Sequence, residues 1–279
     1  MTTEVLRYAA FATDPAGGNP AGIVLDATGL DDTAMLGIAA AVGYSETAFL
    51  FPRTDRTFAV RYFSPKAEVP FCGHATIATA VALAERIGQG ELVFETAAGT
   101  VPVLVTEDGG RLRATLTSVE PHVENVTEAD VTEALKLLGW AAGELDSALP
   151  PRIAYAGARH LVLAAASRER LADLGYDFDA LAAYMTARNL TTLQLVWRES
   201  ADTFHVRDPF PVGGVVEDPA TGAAAAAFGA YLRELGLVSP AALLTLHQGD
   251  DLGRPGVLGV ELINGDRRVR VSGSAVPIG

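Results

Sequence analysis

The chain repeats itself at long range, and that repeat constrains its fold more than any other feature. Phe58–Pro65 reads FAVRYFSP and Phe204–Pro211 reads FHVRDPFP. Both give Phe-x-Val-Arg, then an aromatic residue and a proline, displaced by 146 residues. Upstream of each copy lies a helix-like segment and then an apolar strand: DDTAMLGIAAAVGY before TAFLF, and FDALAAYMTARN before LQLVW. Downstream come a loop and an Ala-rich helix, FCGHATIATAVALAERIG closed by Gly88 and EDPATGAAAAAFGAYLRELG closed by Gly236. Strand-like runs follow each helix. The period is far longer than that of a solenoid repeat. It predicts two similar α/β domains, 1–120 and 121–279, with the junction between 120 and 150.

The two repeated helices are filled by Ala, Thr and Gly, with few charges before the last turn. A helix that is apolar nearly all round is buried. Small side chains let strands approach it closely, so each domain is expected to wrap a barrel-like sheet around one central helix. The helices begin at Cys72-Gly73-His74 and Thr221-Gly222-Ala223, where glycine lets a ligand reach the main chain. Asp218 before Pro219 reads as an N-cap followed by proline at the first helical position. A helix N-terminus carries about half a positive charge and unpaired donors, which suits it to carboxylates. The two starts are expected to face each other across a cleft.

Glu46 is the one charged residue between Ala39 and Phe51. Desolvating a carboxylate is costly unless something pairs with it. Either Glu46 points to water from a strand whose neighbours point inward, or it is kept for chemistry. Three ionisable side chains, Glu46, His74 and Asp218, lie at or near the repeated loops. Together, on symmetry-related loops, they are less easily dismissed as structural.

With 49% hydrophobic and 20% charged residues, the chain reads as a soluble enzyme rather than a disordered protein. Its formal charge of −13 argues against nucleic acid or an anionic membrane surface as partner. A small carboxylate substrate remains open, because peptide dipoles supply local positive potential. The five histidines are scattered without i, i+4 spacing, and Cys72 is the single cysteine, so neither a spaced metal-ligand motif nor a disulfide framework is present. Walker, GxGxxG and GxSxG loops are missing too. The Gly-rich DPAGGNPAG, Asp14–Gly22, reads as a turn. No cofactor and no metal are expected. Apolar stretches are interrupted before the ~20 residues of a membrane span, and the opening segment lacks an export pattern, so a cytoplasmic protein is expected.

Four motifs in order, GNPAGIVL (Gly18–Leu25), SETAF (Ser45–Phe49), EVPFCGHATIATA (Glu68–Ala80) and EDPATG (Glu217–Gly222), resemble the PhzF family of the diaminopimelate epimerase-like superfamily. The resemblance runs essentially from end to end. It implies two pseudo-symmetric domains, a homodimer and a cofactor-independent isomerase. The founding enzyme of the family isomerises trans-dihydro-hydroxyanthranilate in phenazine biosynthesis, moving a proton across a conjugated ring. The resemblance places its acid/base glutamate at Glu46 and its supporting histidine and aspartate at His74 and Asp218. Substrate-binding positions fall at Asn19, Ser45, Gly73, Thr221, Gly222 and Ala223.

Three departures stand out. The family commonly ends its second loop in Thr-Gly-Ser, whereas this chain has Ala223, and a site that loses a hydrogen bond usually loses the substrate that needed it. Superfamily epimerases use two opposed cysteines, and here Cys72 has no second cysteine to oppose it, which excludes a two-thiol racemase. Arg207-Asp208-Pro209-Phe210 also shifts the aromatic residue by one, so the wall of the site is expected to differ. The expected activity is isomerisation of a small carboxylated metabolite. The competing expectation is a protein that keeps the fold and binds a metabolite without turning it over.

Overall fold

The computed structural model describes residues 3–279. Strand β1 (Leu6–Ala10) pairs antiparallel with β2 (Asn19–Val24) across the Gly-rich turn. Gly18 sits in that turn at φ +55, where a Cβ would lie 2.1 Å from the Ala10 carbonyl oxygen. Only glycine fits there, and it delivers Asn19 to the start of β2. Helix α1 (Asp32–Val42) is capped by Asp31, whose side chain accepts from the Ala34 N–H, and it ends at Gly43 in the left-handed conformation. Three residues later β3 (Glu46–Pro52) begins and runs parallel to β2, with Glu46 opposite Ala21.

Strand β4 (Thr57–Phe63) pairs antiparallel with β3 and carries the first Phe-x-Val-Arg copy. A two-residue strand, β5 (Glu68–Val69), folds back on it before helix α2 (Gly73–Ile87). Strands β6 (Gly90–Thr96), β7 (Gly99–Asp108) and β8 (Arg111–Thr117) follow. Every residue of α2 from His74 to Ala84 is buried, and the helix packs against β1, β2, β3, β7 and β8. The all-round apolar sequence thus gives a helix with sheet on several sides.

From β9 (His122–Asn125) and α3 (Glu128–Leu138) the chain enters β10 (Arg152–Tyr155) and β11 (Arg159–Ala164). Helices α4 (Arg168–Ala172) and α5 (Phe178–Ala187) lead to β12 (Thr192–Arg198), parallel to β11. Strand β13 (Thr203–Pro209) carries the second Phe-x-Val-Arg copy, and the short β14 (Glu217–Asp218) folds back on it before α6 (Gly222–Glu234). Strands β15 (Ala242–Gln248), β16 (Gly256–Leu262) and β17 (Val269–Pro277) complete the chain. Ala224 to Leu232 of α6 are buried. Gly229 interrupts its alanines because a Cβ there would meet the Val260 side chain at 2.7 Å.

The two stretches share one succession of pairings. β1–β2 antiparallel, β2–β3 parallel, β3–β4 antiparallel, β4–β6 parallel and β6–β7 antiparallel match β10–β11, β11–β12, β12–β13, β13–β15 and β15–β16 sense for sense. The chain divides into two compact units, one running to Thr117 and taking up Ser272–Gly279, the other Ser118–Val271. The division expected at 120–150 falls earlier, and the last eight residues, expected with the second half, group with the first. The reason is β17. Its end pairs with β1, Tyr8 opposite Pro277 and Ala10 opposite Ala275, while β17 also pairs with β8. Those pairings close the first unit's strands, β1 through β4 and β6 through β8, into a ring. Among the described residues no helix is long and apolar enough to cross a membrane.

Candidate active site

In the first unit three elements bring their starts together. Glu46 opens β3, Cys72 caps α2 by its backbone, and His74 is the second residue of that helix. The Glu46 carboxylate oxygen Oε2 lies 3.4 Å from His74 Nε2 and 3.5 Å from Cys72 Sγ. The His74 side chain is 7% exposed and that of Glu46 18%, so the pair is partly withdrawn from water without being sealed. Ser45 Oγ stands 3.3 Å from His74 Nε2, and Asn19 Nδ2 is 3.2 Å from Nδ1. With its proton on Nε2 the ring accepts from Asn19 and donates toward Glu46 or Ser45.

The start of α2 has no side-chain cap, so its first N–H groups are oriented without one. It is held from behind instead. The Thr76 hydroxyl donates to the Cys72 carbonyl at 2.6 Å, and the buried Tyr62 phenol meets Thr76 at 2.6 Å. Burial pushes the Tyr62 phenol well up from its ordinary value, so it stays neutral. These bonds fix the loop that carries Cys72 and Gly73 without using the N–H groups.

The second unit has its own polar cluster. Asp218 is buried at the end of β14, and its Oδ2 accepts a 2.6 Å hydrogen bond from the Thr221 hydroxyl. The expectation that Asp218 caps the helix needs correction. The cap position belongs to Thr221, and α6 starts at Gly222. Asp218 stays in β14, paired opposite Asp208, and Pro219 lies in the connecting loop. Because the Thr221 hydroxyl is turned to Asp218, α6 also starts without a side-chain cap. Gln248 braces the loop: its Oε1 accepts from the Thr221 N–H at 3.0 Å, and its Nε2 lies 2.9 Å from the Asp218 carbonyl. Gly222 and Ala223, half-buried, form the first turn.

Cys72 and Asp208 are the groups whose roles sequence reasoning did not assign. Asp208 is fully buried, with Oδ2 3.1 Å from Gln248 Nε2 and, among the described residues, no hydrogen-bond partner at Oδ1. Burial, then the neighbouring Asp218 and Glu217 carboxylates, hold its carboxyl well above the ordinary carboxylate range. The folded chain therefore keeps a proton that the unfolded chain loses near pH 3.8. Stability from this group is whole below that pH and is lost as pH rises toward the folded value. Asp208→Asn removes the loss. The mutant should gain on wild type between pH 4 and pH 8, on the order of 1–3 kcal/mol, the range in which unmatched buried polar groups cost stability. Thermal melts that shift in parallel across that range would contradict the assignment.

The model of the phenazine biosynthesis-like protein family, PhzC-PhzF, matches residues 8–279. The chain is 30% identical to the uncharacterized isomerase YfhB of Bacillus subtilis, over 98% of this chain and 96% of that one. It is 32% identical to a trans-2,3-dihydro-3-hydroxyanthranilate isomerase of Pseudomonas chlororaphis, covering 97% and 95%. The fold superposes on the crystal structure of a PhzF-family phenazine biosynthesis protein of Bacillus anthracis with a TM-score of 0.89 at 25% identity, covering 99% and 98%.

Proposed function

Because the chain belongs to the PhzC-PhzF family of phenazine biosynthesis-like isomerases, we propose that it isomerises a small carboxylated metabolite by moving a proton between carbons without a cofactor. The observation that carries the proposal is the carboxylate–imidazole pair, Glu46 and His74, 3.4 Å apart at an uncapped helix start. Glu46 takes the proton from carbon, the C–H electron pair enters the conjugated system, and the same proton returns at another carbon. His74, held through Asn19 and Ser45, orients Glu46 and the substrate. Backbone N–H groups at the uncapped start of α2, at Gly73, bind the carboxylate and stabilise developing negative charge.

Substrate choice turns on Ala223. Loss of a hydroxyl at the first turn of α6 should make turnover of trans-2,3-dihydro-3-hydroxyanthranilate poor. Ala223→Ser should improve it by up to ~1–1.5 kcal/mol, roughly tenfold in kcat/KM, if one hydrogen bond returns. The measurement is the rate of isomerisation of that compound by both proteins. Efficient turnover by the native chain would remove the argument from Ala223 and leave the proton-transfer reading intact.

A further inference from the structure

We propose that Glu46, Cys72 and His74 form a three-donor site for zinc, and that zinc bound there silences Glu46 as a base. The argument starts from spacing. Zinc takes thiolate sulfur at about 2.3 Å and imidazole nitrogen or carboxylate oxygen at about 2.0–2.2 Å in tetrahedral array, which sets neighbouring donors about 3.3–3.6 Å apart. The three separations are 3.4 Å from Glu46 Oε2 to His74 Nε2, 3.5 Å from Glu46 Oε2 to Cys72 Sγ, and 3.7 Å from Cys72 Sγ to His74 Nε2. The three separations match the edges of one tetrahedral face to within a few tenths of an ångström, and since Cys72 Sγ also lies 3.4 Å from His74 Nδ1, binding through Nε2 asks the thiol to turn toward that nitrogen.

Donor chemistry selects the ion. A thiolate with an imidazole and one carboxylate suits zinc or another borderline-soft divalent cation, and it does not suit magnesium or calcium, which take oxygen ligands. The ring is also held as metal-ligating histidines are held, with a polar partner on the nitrogen that does not bind the ion. Asn19 lies 3.2 Å from Nδ1, and rotation of its amide presents the oxygen to an Nδ1–H. Three protein donors leave a fourth position open, which in zinc sites is filled by water or a substrate atom. Binding displaces the Cys72 thiol proton to solvent, and it occupies the carboxylate electrons that proton abstraction requires. The silencing rests on the role proposed above for Glu46; the binding does not.

The test uses the whole chain, freed of metal by a chelator and reduced. Cobalt(II) added alone should bind one ion per chain and give a sulfur-to-cobalt absorption band in the near ultraviolet with the visible bands of tetrahedral cobalt. Zinc should bleach both. Cys72→Ser should abolish the near-ultraviolet band, and Glu46→Gln and His74→Asn should each weaken zinc binding by at least ~10-fold, the lower end of the losses recorded when even outer partners of a metal are removed. Circular dichroism checks that each variant is folded. Absence of the band in wild type, or zinc affinity unchanged in folded Glu46→Gln, overturns the site. In the second arm, turnover of a substrate should fall in step with cobalt occupancy and return with chelator. A bound ion that leaves turnover untouched overturns the silencing and, with it, the role of Glu46, while the band still reports the site.

Discussion

Glu46→Gln should fold normally and lose at least ~100-fold in turnover. General acid/base groups contribute about 10²–10⁴ in rate, and glutamine keeps the size and the hydrogen-bonding reach of the side chain while removing its basicity. The neighbours explain why the fold survives. His74 Nε2 still has Ser45 Oγ at 3.3 Å and Nδ1 still has Asn19 at 3.2 Å, so the ring loses one of several partners. Affinity for a carboxylate-bearing ligand should change much less than turnover, because the start of α2, and not Glu46, is assigned to the carboxylate. A purely structural Glu46 makes the opposite forecast: near-normal turnover with a lower melting temperature. Turnover in heavy water adds a second readout. Deuterium should enter the product of the wild-type reaction wherever Glu46 exchanges its proton before delivering it. Undiminished turnover by well-folded Glu46→Gln protein would falsify the mechanism.

Much of this architecture is legible along the sequence because it depends on local pattern. The buried helices show in runs of Ala and Thr, their ends in Gly88 and Gly236, and the doubling of the fold in two copies of Phe-x-Val-Arg. What is not legible depends on long-range pairing. The pairing of β17 with β1 joins residues more than 260 positions apart, and nothing local in the last strand announces which unit it serves. The gathering of Glu46, Cys72 and His74 has the same character. A rule based on i, i+4 histidines passes over it, because its ligand atoms come from a strand start and a helix start 26 residues apart in sequence. Burial is harder still. Asp208 reads in sequence only as the residue that displaces an aromatic, whereas its place opposite Asp218 is set by β13–β14 register. Register also shows where the halves diverge. Glu46 stands opposite Ala21 in the first unit, and its counterpart by the 146-residue displacement, Thr192, stands opposite His160. Deep burial pushes the His160 imidazole down to about 3, so it stays neutral. The same fold position carries an acid in one half and a buried neutral pair in the other.

The arginine of the repeat supplies the second large effect. In each half it pairs bidentately with the glutamate of the short strand that precedes a helix start. Arg61 donates to both oxygens of Glu68 at 2.7 and 2.6 Å, and Arg207 to both oxygens of Glu217 at 3.0 and 2.6 Å. The two clamps differ in surroundings. The side chains of Arg61 and Glu68 are 32% and 37% exposed, those of Arg207 and Glu217 10% and 1%. Arg207 also donates to the Ala172 carbonyl at 2.7 Å. Removing one partner of a buried pair strands the other charge and costs about 3–5 kcal/mol; exposed pairs are worth about 0–1 kcal/mol. Arg207→Met should therefore cost about 3–5 kcal/mol, and Arg61→Met about 1 kcal/mol or less. Urea unfolding followed at constant slope measures both. The double change Arg207→Met with Glu217→Leu should recover most of the loss, since replacing a buried pair by packed apolar groups is often neutral or better. Equal costs at the two arginines would show that burial does not distinguish them. The consequence reaches the polar cluster of the second unit, because Glu217 precedes Asp218 in β14. With Glu217 unclamped, Asp218 should lose its fixed place beside Thr221. The motif that discloses the doubled fold is thus also the fastening of the loop before each helix start.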